Sequence, residues 1–205
     1  MATSKIDIIK RAASQTGNGA LVSIEDNAEI ARLTEEHYEA VVEEALTQHA
    51  WKFARKAGAC QLTPLTPEKP WMQVWRKPAS LLSLQYAATD EGVRVDAEER
   101  ETDQGRSIVT LCEHTALVAV GTFRVNEGSW PGDFAMGVQH RMESVFLAAV
   151  SEQRSEADAR DKLAEMKFQR ARVRDQRAST ATDATIWDLT VARRRSAAWD
   201  HRGYR

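Results

Sequence analysis

One uninterrupted stretch, Asn27 to Lys56, NAEIARLTEEHYEAVVEEALTQHAWKFARK, constrains this chain more than any other. It contains neither Gly nor Pro. Ile30, Leu33, Val41, Ala45 and Leu46 recur at helical spacing, while Glu35, Glu36, Glu39, Glu43 and Glu44 fall mostly on other faces. The pattern predicts one long amphipathic helix, capped by Asp26 or Asn27 and running directly into Trp51 and Phe53. Those two rings bring a large apolar area to one place, where a neighbouring layer must cover it. A helix with so narrow an apolar stripe needs partner helices.

The remaining chain supplies them. Ser4 to Gln15 reads as a first helix with Ile6, Ile9 and Ala13 on one face, stopped at Gly17-Asn18-Gly19. After the break Asn126 to Gly132, Asp133 can cap a helix carrying Phe134, Val138, Met142, Val145, Phe146 and Ala149 at 3.6 spacing. A renewed start at Ser155 to Asp158 continues through Leu163, Met166 and Val173 to about Arg177. The middle differs. Pro64, Pro67 and Pro70 exclude helix and central strand between Gly58 and Pro70. From Trp71 to Val125 the period is closer to two: Met72 and Val74, then Leu82, Leu84 and Tyr86, then Val93 and Val95, with turns at Asp90-Glu91-Gly92 and Asp103-Gln104-Gly105. Four or five short antiparallel strands are expected there.

The predicted fold class is therefore α+β, mainly α: an antiparallel helical bundle with a small inserted antiparallel β-sheet lobe and an extended C-terminal arm. The bundle takes 1–57 and 126–178, the β lobe 58–125, and a flexible arm 179–205. At 205 residues and 42% hydrophobic, the chain can bury a real core. No run of about 18 apolar residues would span a membrane, and the N-terminus has no apolar signal core. From Arg170 onward nine arginines face four aspartates, so a basic end of about +5 follows an acidic body, for a total of -2. In the arm, small polar spacers separate Trp187, Leu189, Arg193, Arg194, Arg195, Trp199, Arg202 and Tyr204. Such anchors cannot bury themselves locally, and Trp, Tyr and Arg often carry interface energy, so these eight are the expected partner-binding residues.

Catalytic patterns are scarce. No glycine loop has phosphate-binding spacing, and the histidines at 37, 49, 114, 140 and 201 show no metal-ligand spacing. His37 and His49 lie about 18 Å apart along a helix, too far to share a ligand. Cys60 and Cys112 make neither a disulfide framework nor a zinc site. Cys112 and His114 would point the same way on a strand, which leaves a small hydrolase as a third reading. Glu98, Glu99, Glu101 and Asp103 fall in a hairpin-like segment and read as solvated charge. No enzyme activity, cofactor or metal is expected.

Three local patterns, in this order, resemble the head-to-tail adaptor (connector) proteins of tailed bacteriophages, including the tail tubular protein A type. The first is the short helix, the Gly-rich break, the connector Ser23-Ile24-Glu25-Asp26 and the Ala/Glu-rich long helix. The second is Gln48-His49-Ala50-Trp51-Lys52-Phe53-Ala54, similar to the family's His-Pro-Trp-Asn-Phe-Ala-like run, with Ala50 and Lys52 replacing Pro and Asn. The third is Trp71-Met-Gln-Val-Trp75-Arg-Lys-Pro78, followed by Trp130-Pro131-Gly132-Asp133-Phe134 opening a helix pair. The resemblance covers about residues 4 to 178. It implies a structural virion protein in the neck between capsid and tail, assembled in the host cytoplasm. Its partners would be the portal protein ring, the next tail or nozzle component, and copies of itself in a ring, commonly of twelve subunits. Genomic DNA would pass through the lumen without sequence-specific binding, and no membrane is involved. Trp51 and Phe53 are then expected at the junction of bundle and sheet. The alternative is a nucleic-acid-binding protein that uses the Arg-rich C-terminal segment.

Overall fold

A computed structural model describes residues 4–17, 23–103, 105–150 and 153–177. Four helices, α1 (Lys5–Gln15), α2 (Ala28–Thr47), α3 (Gly132–Val150) and α4 (Arg154–Arg177), flank a block of eight short strands. The strands are β1 (Arg55–Ala59), β2 (Gln61–Leu62), β3 (Gln73–Arg76), β4 (Leu81–Ala88), β5 (Arg94–Val95), β6 (Ala97–Thr102), β7 (Gly105–Thr110) and β8 (Val118–Phe123). The class is α+β, with every strand pair antiparallel.

Two helix starts follow their caps, whereas α3 starts at Gly132, one residue before the expected cap Asp133, whose carboxylate pairs with Arg174 instead. Ser4 and Asp7 form a reciprocal capping box, which holds the Asp7 carboxyl below its ordinary pKa through the Ser4 hydrogen bonds. Asn27 Oδ1 accepts from the Glu29 and Ile30 amides at 3.1 and 3.2 Å and begins α2. The far end of α2 departs from expectation. The helix stops at Thr47, not Lys56, and a 3₁₀ turn over Lys52–Ala54 leads into β1. The Thr47 hydroxyl donates back to the Glu43 and Glu44 carbonyls, and the Trp51 indole N–H donates to the Ala45 carbonyl at 2.9 Å. Trp51 thus folds back to satisfy a carbonyl that a continued helix would have bonded.

Three buried faces also differ. In α1 the core takes Ile8, Ile9, Ala12 and Ala13, and Ile6 is 52% exposed. In α2 Tyr38 is fully buried, while Val41 is only half-buried. In α4 the buried stripe is Ala157, Ala164, Phe168 and Ala171, and the larger Met166 and Val173 face outward. The reason is closeness. A Cβ added to Gly137 of α3 would lie 2.5 Å from the Phe168 ring, so the absent side chain at Gly137 is what lets Phe168 seat there and turn its side of α4 inward.

The strands form two sheets of four, ordered β1-β8-β4-β5 and β2-β3-β7-β6. Six of them fall between Trp71 and Val125, where four or five were expected, and β1 and β2 precede that stretch, in residues read as the helix end and the proline-rich segment. The chain crosses from the first sheet to the second at Cys60, between β1 and β2, and again at Asp96, between β5 and β6. The same two bent segments therefore join both edges of the sheets. Trp75 and Ile108 pack from one sheet against Leu81, Ala87, Ala119 and Phe123 of the other. In β4 two register shifts, between Leu81 and Ser83 and between Leu84 and Tyr86, break the alternation that would have buried Leu82, Leu84 and Tyr86 together. The fully buried residues there are Leu81, Ala87 and Ala88 instead.

Candidate functional site

An aromatic cluster lies in the helical core, beside the turn that leads into β1. Phe134, in the first turn of α3, is touched by the rings of Trp51, Phe53, Trp130 and Phe168 at centroid distances of 5.1, 5.1, 5.1 and 5.6 Å. Most of these are edge-on or tilted, the favoured geometry for quadrupolar rings. Trp51 is buried and Phe53 half-buried, both packed in the helical core. The turn they occupy is bolted to the end of α4. Asp175 accepts from the Lys52 amide at 3.1 Å and lies 3.4 Å from His49 Nε2, and Lys52 Nζ donates to the Asp175 carbonyl at 2.6 Å. A lysine placed on the last carbonyls of a helix also meets the negative end of its dipole. Arg172 adds a bond to Gln48 Oε1 at 3.0 Å.

A second set of contacts locks the opposite side. Tyr38 Oη donates to Glu127 Oε1 at 3.1 Å, Arg124 Nη2 reaches the same oxygen at 2.6 Å, and Arg124 Nε reaches Glu39 Oε2 at 2.9 Å. Lys5 Nζ stands 3.6 Å from Glu39 and 4.5 Å above the Tyr38 ring, so α1 joins the network. Burial, together with the Glu127 charge, pushes the Tyr38 phenol far above its ordinary pKa. Burial alone would raise the Glu127 carboxyl and lower the Arg124 guanidinium. The bonds between them outweigh it, so Glu127 is lowered and Arg124 raised. Both therefore stay charged and mutually bound at neutral pH.

The outer helix faces carry opposite signs. On α2, Glu29, Glu35, Glu36, Glu39, Glu43 and Glu44 are exposed. On α4 the exposed face holds Lys162, Arg170 and Arg177 beside Met166, 51% exposed, and Val173, 44% exposed. Between α3 and α4 the carboxylate of Glu143 is fully buried and fully used. Gln139 Nε2 and His140 Nδ1 lie at 2.8 Å and Arg160 Nη1 at 3.1 Å.

The residues singled out from sequence fall unequally. Trp51 and Phe53 lie in the helical core, at the turn that enters β1; Phe134 packs on both, Asp175 holds the turn, and Tyr38, Arg124 and Glu127 form the second network. Of these only Phe134 showed in the periodicity. Glu127 sits in a segment that reads as a break, and Asp175 is one acid among arginines. Trp187, Leu189, Arg193, Arg194, Arg195, Trp199, Arg202 and Tyr204 lie outside the described residues. Cys112 and His114 fall in the loop after β7, not on a strand. Cys112 is exposed, and the Gln73 side chain clamps the His114 backbone at 2.7 and 3.2 Å. Burial pushes the other thiol, Cys60, up to about 11. A cleft of about 340 Å³ on the second sheet is walled by Trp71, with Arg100 stacked 5.1 Å from the ring centroid, and by Val74 and Val109. Among the described residues no three metal-ligating side chains converge, and no helix is long and apolar enough to cross a membrane. The chain matches no family model and no curated protein.

Proposed function

We propose that this chain is the subunit of a head-to-tail adaptor ring in the neck of a tailed phage virion, a structural and non-catalytic role. The observation that carries the reading is the joint between bundle and β lobe: Asp175 of α4 holds the turn that enters β1, and Arg124, directly after β8, is bonded to Glu39 of α2 and to Glu127. A subunit that transmits a fixed geometry from the portal protein ring to the next tail component needs such a joint. A hinge there would let the ring shear. The order of elements, two helices, a strand block and a helix pair, also agrees with what the resemblance implies. Copies close into a ring, commonly of twelve, through a contact between unlike faces. Genomic DNA passes through the lumen without sequence-specific binding. Many weak contacts add through multivalency, so no single subunit needs high affinity for the portal.

Mixing the purified chain with its cognate portal ring and weighing the product tests this. One stoichiometric ring complex is expected, and deletion of Ala178 to Arg205 is expected to leave the melting curve unchanged and abolish docking. The absence of any ring complex, together with duplex DNA binding that falls steeply with salt, would overturn the proposal in favour of the nucleic-acid reading. The exposed Lys162, Arg170 and Arg177 are what favour that second reading, in company with the Arg-rich C-terminal segment.

A further inference from the structure

We propose that the outer face of α4 seats against the outer face of α2 of a second copy of this chain, charge to charge and head to tail. Both helices pack on α3 and barely touch one another, so within one subunit the two faces are distinct surfaces that cannot neutralise each other. The spacing matches. Glu29, Glu36 and Glu43 recur every seven residues along α2, all exposed, over about 21 Å of helix. On α4, Arg170 and Arg177 are seven apart, Met166 and Val173 are seven apart, and all four are exposed on one side. Two helices whose facing residues share a seven-residue period keep their contacts in phase along the seam.

The charges are also unspent. Glu36 pairs with Arg32 at 2.9 Å within its own helix, while the carboxylates of Glu29 and Glu43 have no ionic partner among the described residues. Arg170 and Arg177 likewise have none there, in contrast to Arg172, held by Glu165, and Arg174, held by Asp133. Met166 and Val173 need cover, and exposed Ala40, between Glu36 and Glu43, leaves a shallow place on α2 for one of them. An acidic stripe alone would suit any cation. A basic stripe with apolar knobs at the same period, on a different side of the same molecule, selects a second copy. Because the faces are unlike, the contact is heterologous and propagates from subunit to subunit. It rests on the ring reading for closure of the assembly, and for nothing else.

The test uses the full chain and two charge-reversed variants. Arg170→Glu with Arg177→Glu makes both faces acidic, and Glu36→Lys with Glu43→Lys makes the α2 face basic. All four positions are exposed, and unchanged melting curves confirm intact folds. In sedimentation at low salt, the wild type should associate reversibly and more weakly as salt rises. Each variant alone should associate about 100-fold more weakly or worse, since like charges then oppose. An equimolar mixture should recover association, because the acidic α4 face of one variant fits the basic α2 face of the other, and their two unaltered faces still fit each other. A mixture that stays monomeric overturns the contact, and so does a wild type that stays monomeric throughout. Loss of short duplex DNA binding in the Arg170 and Arg177 variant, with self-association unchanged, would assign the face to nucleic acid instead. Portal docking reports separately. Complementation without docking sinks the adaptor reading and keeps the contact, whereas docking without complementation does the reverse.

Discussion

Phe134 and Gly121 sit at the centres of two differently built regions. Around Phe134 the rings of Trp51, Phe53, Trp130 and Phe168 interlock, drawn from the turn after α2, the turn before α3, and α4. Every contact there is made by a side chain, and side chains can tilt. Gly121, in the middle of β8, is surrounded by backbone. A Cβ at that position would lie 2.1 Å from the Ser83 carbonyl oxygen and 3.1 Å from the Leu84 Cα. The bulged strand β4 presses on β8 there, and neither ladder can yield without losing pairs. The bundle is thus specified by what its side chains fill. The β lobe is specified at this point by an atom that must be absent.

Truncating the joint should have the largest effect. Trp51→Ala removes three ring contacts, to His49, Phe53 and Phe134, and the indole bond to the Ala45 carbonyl, at an expected cost of about 3–5 kcal/mol in urea unfolding. Trp51→Phe should recover most of that, short by about 1 kcal/mol for the lost hydrogen bond. A cost below that level for the alanine variant would mean that the aromatic stack does not hold the joint.

Gly121→Ala should follow, at about 3 kcal/mol. The obstacle is a backbone oxygen, so trimming the nearby Leu81 side chain with Leu81→Ala should give no rescue. Gly137→Ala offers the contrasting case within the bundle. The three atoms nearest its new methyl all belong to the Phe168 ring, the closest 2.5 Å away, a side chain and not backbone. The expected cost is about 1–2 kcal/mol. A double-mutant cycle with Phe168→Leu should show favourable coupling, and Gly121 with Leu81 should show none. Coupling of equal size at both sites would erase the distinction between the two regions.

The smallest effect concerns pH. Glu127 has a folded pKa below its ordinary 4.5, since bonding to Arg124 outweighs its burial. A carboxylate of this kind contributes stability above its unfolded pKa and loses it as pH falls through the lowered folded value. Wild-type urea midpoints should therefore drop as pH is lowered from about 5, and Glu127→Gln should flatten that part of the curve. Curves that remain parallel down to acid pH would show that the Arg124 network does not contribute to acid stability.

How much of this could be read from the chain differs by region. The caps of α1 and α2, the helix count and the helical placement of Phe134, Val138 and Met142 follow from local pattern, because cap chemistry and 3.6 periodicity act within a few residues. The inward face of α4 does not follow. Leu163, Met166 and Val173 form the more apolar stripe, yet Phe168, seated over Gly137, turns the side with Ala157, Ala164 and Ala171 inward. The strand count missed β1 and β2, whose residues show no alternating apolar pattern, and β6, whose Glu98, Glu99 and Glu101 read as solvated charge. In the joint, Trp51 and Phe53 announced themselves by size. Asp175 and Glu127 did not, because an acid's role depends on which cation arrives, and Lys52 and Arg124 are brought to them by the fold.

By itself, then, the sequence determined the α+β class, the positions of the helices, the turn chemistry and the uneven charge, all of which rest on interactions among near neighbours. Only the tertiary structure decided where α2 ends, which face of α4 is inside, how β1 and β2 pass between sheets, and which acids are bound. Atoms more than a helix length away in sequence take part, such as Phe168 over Gly137 and Asp175 beneath Lys52, and at the end of α2 they act together with the near bond from Trp51 to the Ala45 carbonyl. Long-range contacts choose among arrangements that local preferences leave nearly equal in energy.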